Sequence, residues 1–232
     1  MATSTGHGPD EGPPGRIHQG EDLRGRDFAG LDLSGSRFID CRLSGASFRS
    51  ADLTGAAFDG CRGWEADSPD GVDFSFANLQ EARFHRCDLS MSVFSRARAY
   101  ELVLENCQAQ GADFSRLDAR FPIASREPLV ACTLRACNLA YADLSHCDLT
   151  GADLSESRLV EAVLDGSCLR NADLSGADLN NVHGSGMVLA GADLRGAVFN
   201  GLDVREIDLT GARITPEQVP LLLEPLGVIL ED

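Results

Sequence analysis

A five-residue period of apolar residues runs along almost the whole chain. Leu or Phe recurs at every fifth position over 23–58, 74–94 and 134–179, and again at Leu209. On an α-helix, five residues rotate by about 500°, which would spread these side chains around the helix axis. On a flat strand, the odd spacing would send successive side chains to opposite faces. The chain can therefore bury every fifth residue only by turning a corner once per repeat.

Four such corners predict an all-β fold, a right-handed quadrilateral β-helix. Corners of about 90° close a square coil of about 20 residues, and stacked coils pair through their backbones at about 4.8 Å. The in-phase positions correspond to about nine coils. We expect the β-helix to span residues 21–214, after a disordered leader over 1–20 and before a C-terminal helical cap over 215–232.

The residues next to each Leu or Phe indicate which side of the coil they face. The residue two positions earlier is small in most repeats and predicts a second inward position, because residues two apart on an extended segment point the same way. The residue just before each Leu or Phe should point outward, and in sixteen repeats it is Asp. These are Asp22, Asp27, Asp32, Asp52, Asp73, Asp88, Asp113, Asp118, Asp143, Asp148, Asp153, Asp173, Asp178, Asp193, Asp203 and Asp208.

The eight cysteines follow the same pattern. Seven of them fall on the small inward position and predict buried apolar side chains, with neither disulfides nor a zinc site. They are Cys41, Cys61, Cys87, Cys107, Cys132, Cys137 and Cys147. Cys168 falls on an outward position and is the one thiol expected to be reactive. Unpaired thiols and a polar N-terminus without signal-peptide features predict a cytoplasmic protein, and the apolar stretch over 219–230 is too short to cross a membrane.

Two interruptions of the period predict loops that protrude from the rod. After Phe58 the pattern restarts only at Phe74, with about six extra residues that form a loop over about 64–71. A second break over about 120–130 contains two prolines and loses the small inward residues. Both features are typical of a surface loop.

The chain ends in a segment with the signals of a short helix. Thr215 is a good N-cap, Gln218 completes a capping box, and Gly227 is a natural stop. Pro220 and Pro225 restrict the helix to short turns. The segment has more apolar residues than a cap over one coil needs, which predicts a self-complementary dimer joint. The residues expected in this joint are Leu221, Leu222, Leu223, Leu226 and Ile229.

The charge narrows the range of partners. The net charge is −16 and all twenty basic residues are Arg, which excludes a protein that binds nucleic acid directly. The candidate acidic surface consists of Asp113, Asp118, Asp143, Asp148, Asp153, Asp173 and Asp193. The last three are twenty residues apart and should form one column. Like charges opposite each other destabilise paired strands, so the column suggests either a basic partner or a surface that serves only solubility.

A rod with carboxylates along its sides resembles a DNA duplex in charge and shape. Nine coils span about 43 Å, and two rods joined end to end span about 86 Å, close to the length of roughly 25 base pairs. The natural receptor for such a rod is a protein with a basic DNA-binding groove.

Several segments resemble the quinolone-resistance (Qnr-type) group of pentapeptide-repeat proteins. They are CDLSM (87–91), CQAQGADF (107–114), NLAYADL (138–144) and the stretch from LDVREIDLTGARI to LLLEPLG (202–227). Both breaks fall where that family has its two loops. The resemblance implies a homodimeric DNA mimic that binds DNA gyrase or topoisomerase IV and protects it from quinolone-type poisons. It also implies that the larger loop is needed for protection and that the C-terminal helix forms the dimer.

The same resemblance supplies candidate gyrase-binding residues in the two loops. Trp64 and Glu65 take the places of an aromatic and an acidic residue in the smaller loop, and Ile123 and Arg126 match the family in the larger loop. The complete candidate set is Trp64, Glu65, Asp67, Asp70, Phe121, Ile123, Arg126 and Glu127.

An enzyme is not expected, and no motif indicates a cofactor. The five histidines show no metal-ligand spacing and are expected to be ordinary surface residues. They are His7, His18, His85, His146 and His183. A filled, narrow interior also leaves no room for an active-site pocket. Two alternatives remain: a non-enzymatic scaffold with a different protein partner, and a self-resistance factor against a natural gyrase poison.

Overall fold

The computed structural model describes residues 14–66, 70–120 and 132–228. Its six short strands form one parallel sheet in sequence order, with each strand paired to the next. They are β1 (Ile17–Gln19), β2 (Arg37–Ile39), β3 (Ala57–Asp59), β4 (Arg83–His85), β5 (Val103–Glu105) and β6 (Thr133–Arg135). This sheet is the first wall of the coil, and we call it face 1.

Face 1 continues beyond β6 as single bridges that end at Arg213, so nine steps separate Ile17 from Arg213. Three further walls consist of bridged residues alone. Face 2 runs from Asp22 to Val198, face 3 from Asp27 to His183, and face 4 from Asp32 to Asp208. The predicted four-sided right-handed β-helix of about nine coils is thereby confirmed.

The spacing between paired residues locates both interruptions. Arg37 pairs with Ala57, twenty residues later, whereas Ala57 pairs with Arg83 and Val103 with Thr133. The last two steps are therefore six and ten residues longer than a regular coil. The first insertion leaves the rod at the corner between faces 2 and 3, and the second leaves it at the opposite corner, between faces 4 and 1.

Most corners depend on a residue with a positive φ angle. Glycine takes this position in many repeats, and seventeen residues with side chains take it elsewhere, with φ between 51° and 61°. Among the latter are Phe76, Met91 and Tyr141. A side chain in this region costs free energy that glycine avoids.

Two columns of aromatic rings fill the N-terminal half of the interior. Phe38, Phe58 and Phe84 stack behind face 1 with centroids 4.6 Å and 4.5 Å apart. A second column behind face 3 runs from Phe28 to Phe114, and rings of the two columns meet edge to face. From β6 onward, Leu takes most of these inward positions. All the Phe rings of both columns are buried, as the period predicts.

The leader predicted over 1–20 is wrong in its C-terminal part. β1 lies within it and pairs in register with β2. His18 takes the inward position of a Phe, is 2% exposed and stacks on Phe38 at 4.7 Å. Its Nδ1 lies 3.0 Å from Glu21 Oε2. A flat imidazole ring continues the aromatic column, so His18 is also not the surface residue that the sequence suggested. Residues 1–13 lie outside the described residues.

Gly63 breaks the inward Leu/Phe pattern for a packing reason. A Cβ at this position would lie 2.9 Å from Val72 Cγ2 and 2.7 Å from the carbonyl oxygen of Asp88. Val72, which follows the first insertion, is fully buried and occupies the interior space that a larger residue at 63 would need.

The C-terminal segment closes the open end of the last coil. A 3₁₀ turn (Pro216–Gln218), α1 (Val219–Leu223) and a second 3₁₀ turn (Glu224–Leu226) follow one another. The predicted capping box between Thr215 and Gln218 is present, and Gly227 ends the segment with φ 72°. The buried Gln218 Nε2 donates to the carbonyl oxygens of Leu194 and Ala197. Among the described residues, no helix has the length and apolar character to cross a membrane.

The seven inward cysteines are buried and unpaired, as predicted. Six of their thiols donate to main-chain carbonyls of the preceding coil, for example Cys61 to Phe38 and Cys147 to Phe114. Burial raises the pKa of Cys132 and Cys147 to about 12, which keeps these thiols protonated and unreactive. Cys168 is half-exposed, with its sulfur 3.2 Å from Thr150 Oγ1.

Candidate partner-binding surfaces

The repeated aspartates have a structural role that the sequence did not reveal. In repeat after repeat, Asp Oδ1 accepts a hydrogen bond from the backbone N–H two residues later, as Asp113 does from Ser115 and Asp143 from Ser145. This Asx-turn stabilises the corner of the coil. Asp153 and Asp173 make the same bond, to Ser155 and Ser175. The expectation that the Asp column serves only a partner or solubility is therefore wrong, because Asp153 and Asp173 also stabilise the fold.

The acidic residues are nevertheless distributed unevenly around the rod. At the bridged outward positions, faces 1 and 2 each carry three Asp and three Arg. Face 3 carries four Asp without an Arg at these positions, and face 4 carries five Asp with one Arg. We call faces 3 and 4 the acidic faces. The two insertions leave the rod at the two outer edges of this pair of faces.

Four predicted surface residues lie together in the middle of the acidic faces. Asp113 bridges to Asp143 on face 3, and Asp118 bridges to Asp148 on face 4. Each bridge spans the second insertion. Arg116 lies at the corner between the two pairs and interrupts the negative charge there. Asp153 and Asp173 lie on face 1, away from these four residues.

Asp193 is not part of an exposed acidic column. Its side chain is buried, accepts hydrogen bonds from Arg195 Nε and Nη2, and lies 3.1 Å from Arg213 Nη2. Hydrogen bonding to Arg195 lowers the pKa of Asp193 to about 2, with a further contribution from the charge of Arg213. The placement of Asp193 on the DNA-mimicking surface is therefore wrong, because two arginines neutralise it within the fold.

The lowered pKa of Asp193 predicts a pH-dependent contribution to stability. A carboxylate whose pKa falls on folding stabilises the native state above its unfolded-state pKa of about 3.9, and this contribution disappears as the pH falls through about 2. We expect Asp193→Asn to lower the free energy of unfolding by about 2 kcal/mol at pH 7 and by almost nothing near pH 2. Urea titrations of both proteins at pH 7, 4 and 2.5 measure this difference, and a gap that is constant with pH would contradict it.

In the first insertion, Glu65 is tied to the rod. Its two oxygens accept hydrogen bonds from Arg42 Nε and Nη2, both at 2.7 Å, and Arg24 Nη1 lies 3.3 Å away. The hydrogen bond from Arg42 lowers the pKa of Glu65, which stays ionised at neutral pH. Such a bidentate pair is stronger than a single contact. Glu65 therefore holds the start of the insertion against the N-terminal coils, which leaves its carboxylate less available to a partner.

The other candidate loop residues are only partly described. Trp64 is half-buried and Asp70 is exposed. The remaining candidates lie outside the described residues: Asp67, Phe121, Ile123, Arg126 and Glu127. At the start of the second insertion, Arg120 Nε donates to Asp118 Oδ1 at 2.8 Å, so this acidic residue is partly neutralised.

The C-terminal segment combines residues packed on the rod with exposed apolar ones. Leu221 and Leu222 pack against the core, and Leu223 is half-buried. Leu226 is 50% exposed, and Val219 and Val228 are also exposed. Ile229 lies outside the described residues. Part of the predicted joint thus closes the rod, and the rest forms an apolar surface at its end.

Sequence reasoning missed two kinds of residue. Arg42 occupies an ordinary outward position, and nothing in the repeat marks it as the partner of Glu65. Phe76 and Met91 had a detectable signal, because large apolar residues stand at corner positions that glycine often occupies. The five-residue period by itself marks only the inward positions.

The sequence of this chain is similar to those of several known proteins. A sequence profile described as pentapeptide repeats matches residues 27–62, 70–101, 77–116, 129–166, 142–181 and 185–215. The pentapeptide repeat protein QnrB4 of Escherichia coli is 35% identical over 81 residues, which cover 35% of this chain and 38% of QnrB4. The quinolone resistance pentapeptide repeat protein QnrB96 of Scandinavium goeteborgense is 34% identical over 84 residues, 36% of this chain and 39% of that protein. These matches span well under half of either relative.

The structural similarity extends further than the sequence matches. The structure of full-length QnrB1, a plasmid-mediated fluoroquinolone resistance protein, superposes with a TM-score of 0.85 at 31% sequence identity. The superposition covers 91% of this chain and all of QnrB1.

Proposed function

Because the chain belongs to the pentapeptide-repeat family and is similar to the Qnr proteins, we propose that it binds DNA gyrase as a DNA mimic and protects the enzyme from quinolone-type poisons. The observation that carries the proposal is the superposition on the whole of a fluoroquinolone resistance protein. Topoisomerase IV is a second candidate target. In this proposal the protein is not an enzyme, acts in the cytoplasm and does not bind nucleic acid itself.

The distribution of charge supports this proposal. At the bridged outward positions, faces 3 and 4 together carry nine Asp and one Arg over about 40 Å, while the other two faces carry equal numbers of Asp and Arg. An acidic side of this kind attracts a groove that normally binds DNA phosphates. The two insertions border the acidic faces, so a partner that docks on these faces meets both of them.

We include a homodimer in the proposal, joined through the exposed apolar surface of the C-terminal segment. Leu226 and Val228 lie at the end of the rod, where a twofold contact would roughly double its length. Light scattering after size-exclusion chromatography measures the mass directly, and a mass of 24.7 kDa at micromolar concentration would reject the dimer.

One observation favours the scaffold alternative. The Asx-turns give each Asp a reason to be present that involves no partner, so acidity alone does not identify gyrase. A gyrase supercoiling assay in ciprofloxacin, with this protein titrated in, separates the two functions. Recovery of supercoiling supports protection, and no recovery at any concentration supports the scaffold. Replacing ciprofloxacin with natural gyrase poisons tests the self-resistance form of the proposal.

Asparagine substitutions separate the charge of the acidic faces from their structural role, because Asn forms the same Asx-turn. The test variant carries Asp113→Asn, Asp118→Asn, Asp143→Asn and Asp148→Asn. We expect its free energy of unfolding to stay within about 1 kcal/mol of wild type and its gyrase affinity at low salt to fall about tenfold. Its affinity should also depend less on salt.

The matched control removes four carboxylates from the other two faces, where the same Asx-turns are present. It carries Asp88→Asn, Asp153→Asn, Asp173→Asn and Asp178→Asn. Equal losses of gyrase affinity in the two variants would show that only net charge matters and would contradict a specific role for the acidic faces.

A further inference from the structure

A groove crosses face 3 beside the base of the first insertion. It encloses about 580 Å³. Its lining includes the outward residues of three successive coils and the corner residues on both sides of them. The floor is formed by Ser47, Asp73 and Val93, and the walls by Met91 on one side and by Arg49 and Phe76 on the other.

The two apolar walls lower the stability of the fold. Phe76 and Met91 are 45% and 52% exposed, and both hold positive φ angles, near 60°. In the column that contains Met91, glycine takes this position in the next coil, at Gly111, and two coils earlier, at Gly45. Glycine would satisfy the corner without strain and without exposing apolar surface. A strained backbone that also displays large apolar side chains is typical of a binding site.

Both walls are held in place before any partner arrives. The Arg49 guanidinium lies 4.7 Å from the centroid of the Phe76 ring, and Arg49 Nη1 donates to Ser75 Oγ at 2.7 Å. On the other side, a Cβ at Gly71 would lie 2.5 Å from the carbonyl of Met91. The base of the insertion thus packs directly against the Met91 backbone. A pre-formed groove loses little entropy when it binds a partner.

The charge of the groove selects the chemistry of its occupant. Asp73 on the floor and Asp70 at the edge bring two carboxylates beside the apolar walls. Arg49 Nη1 lies 4.0 Å from Asp73 Oδ2, and Asp70 forms no ion pair within the described part of the chain. Arg49 offsets the charge of Asp73, and the Arg96 guanidinium lies 5.9 Å from the centroid of the Phe76 ring. Asp70 at the edge is therefore the carboxylate that favours a positively charged group next to an apolar one.

We propose that this groove binds a partner segment in which an apolar side chain is flanked by Lys or Arg, and that this is where gyrase anchors beside the first insertion. The inference rests on the proposed function only for the identity of the partner. The groove itself follows from Phe76, Met91, Asp70 and Asp73, and can be tested without gyrase.

The first test is the double variant Phe76→Gly/Met91→Gly, which removes both walls and relieves both strained corners. We expect its thermal midpoint to be equal to or above that of wild type, while its dissociation constant for purified gyrase rises about tenfold, or 1.4 kcal/mol. The matched control is Tyr141→Gly, which removes an exposed aromatic residue of the same backbone conformation outside the groove. The control should bind gyrase within about twofold of wild type.

If the double variant binds gyrase as tightly as wild type, the groove is not the anchor, although gyrase remains the partner. If wild-type protein does not bind gyrase, the proposed function fails and the second test decides the groove on its own. A double variant that is clearly less stable than wild type would show that Phe76 and Met91 serve the fold, and would overturn the inference.

The second test uses the ε-methyl group of Met91 as a reporter. The chain has three methionines, of which Met91 lines the groove and Met187 is buried in the core. In ¹³C-methyl-methionine protein, acetyl-Lys-Leu-Lys-amide at millimolar concentration should shift the Met91 signal and leave that of Met187 unchanged. Acetyl-Glu-Leu-Glu-amide should bind at least about tenfold more weakly. Equal shifts with both peptides, or no shift with either, would overturn the proposed chemistry.

Discussion

Removal of residues 121–130 is expected to weaken protection of gyrase severely while the rod stays folded. The coil that contains this segment is ten residues longer than a regular one, so the deletion restores the twenty-residue register between Val103 and Thr133. Ala131 then takes the corner position, as Ala136 does in the next repeat with φ 51°. We expect the concentration needed to rescue supercoiling in ciprofloxacin to rise about a hundredfold, equivalent to about 2.7 kcal/mol of binding free energy.

The matched control replaces the same ten residues with Gly and Ser, which preserves the length of the insertion but removes its side chains. If the side chains contact the target, this variant should lose protection as the deletion does. Circular dichroism and the thermal midpoint establish that both variants keep the β-helix. A folded deletion variant that still protects gyrase at wild-type concentrations would remove this insertion from the proposed mechanism and leave the acidic faces as its basis.

The largest loss of stability is expected for Phe84→Ala. Phe84 is fully buried, stacks on Phe58 at 4.5 Å and meets Phe74 edge to face at 5.4 Å. Truncation leaves a cavity between two coils that cannot collapse, because the backbone ladders fix their separation. A Phe to Ala change in a packed core costs about 3–5 kcal/mol. Urea denaturation followed by circular dichroism measures the free energy of unfolding.

Phe84→Leu is the matched control, because Leu104 takes the same inward position in the next coil. We expect this change to cost less than about 1.5 kcal/mol. Because the rod is a linear stack, Phe84→Ala is also expected to broaden the transition as the coils on either side uncouple. Equal losses of unfolding free energy in the Phe84→Ala and Phe84→Leu variants would contradict a stabilising role for the aromatic column.

The fold was predictable because one physical constraint repeats in almost every segment of the rod. A large residue at every fifth position must turn inward, and a small residue two places earlier must accompany it. The same logic predicts buried cysteines, and the structure shows Cys61 and Cys147 in that role. It fails at His18, because a rule based on apolar residues does not recognise an imidazole as a substitute for a phenyl ring.

The candidate site was less predictable, because its features depend on contacts between distant residues. Asp193 follows the same pattern as Asp153 and Asp173, yet Arg213, one coil away, helps to neutralise it. In the sequence, nothing distinguishes Glu65 from other acidic residues of a loop. Its role depends on Arg42, which lies beside it in the structure. The i to i+2 Asx-turns are local and could have been expected from Asp at the corner of a turn.

The coil spacing has a consequence for any receptor that reads both this rod and a duplex. Outward positions on one face recur about every 4.8 Å, and only some of them carry carboxylates, whereas base-pair steps recur about every 3.4 Å. The two spacings therefore coincide only after about five coils and seven steps, near 24 Å. Charge-by-charge imitation of phosphates is therefore impossible over most of the contact. This difference in spacing alone allows a receptor to discriminate between the rod and nucleic acid. A binding cleft with evenly spaced cations can match the spacing of the coils or that of the base pairs, but not both.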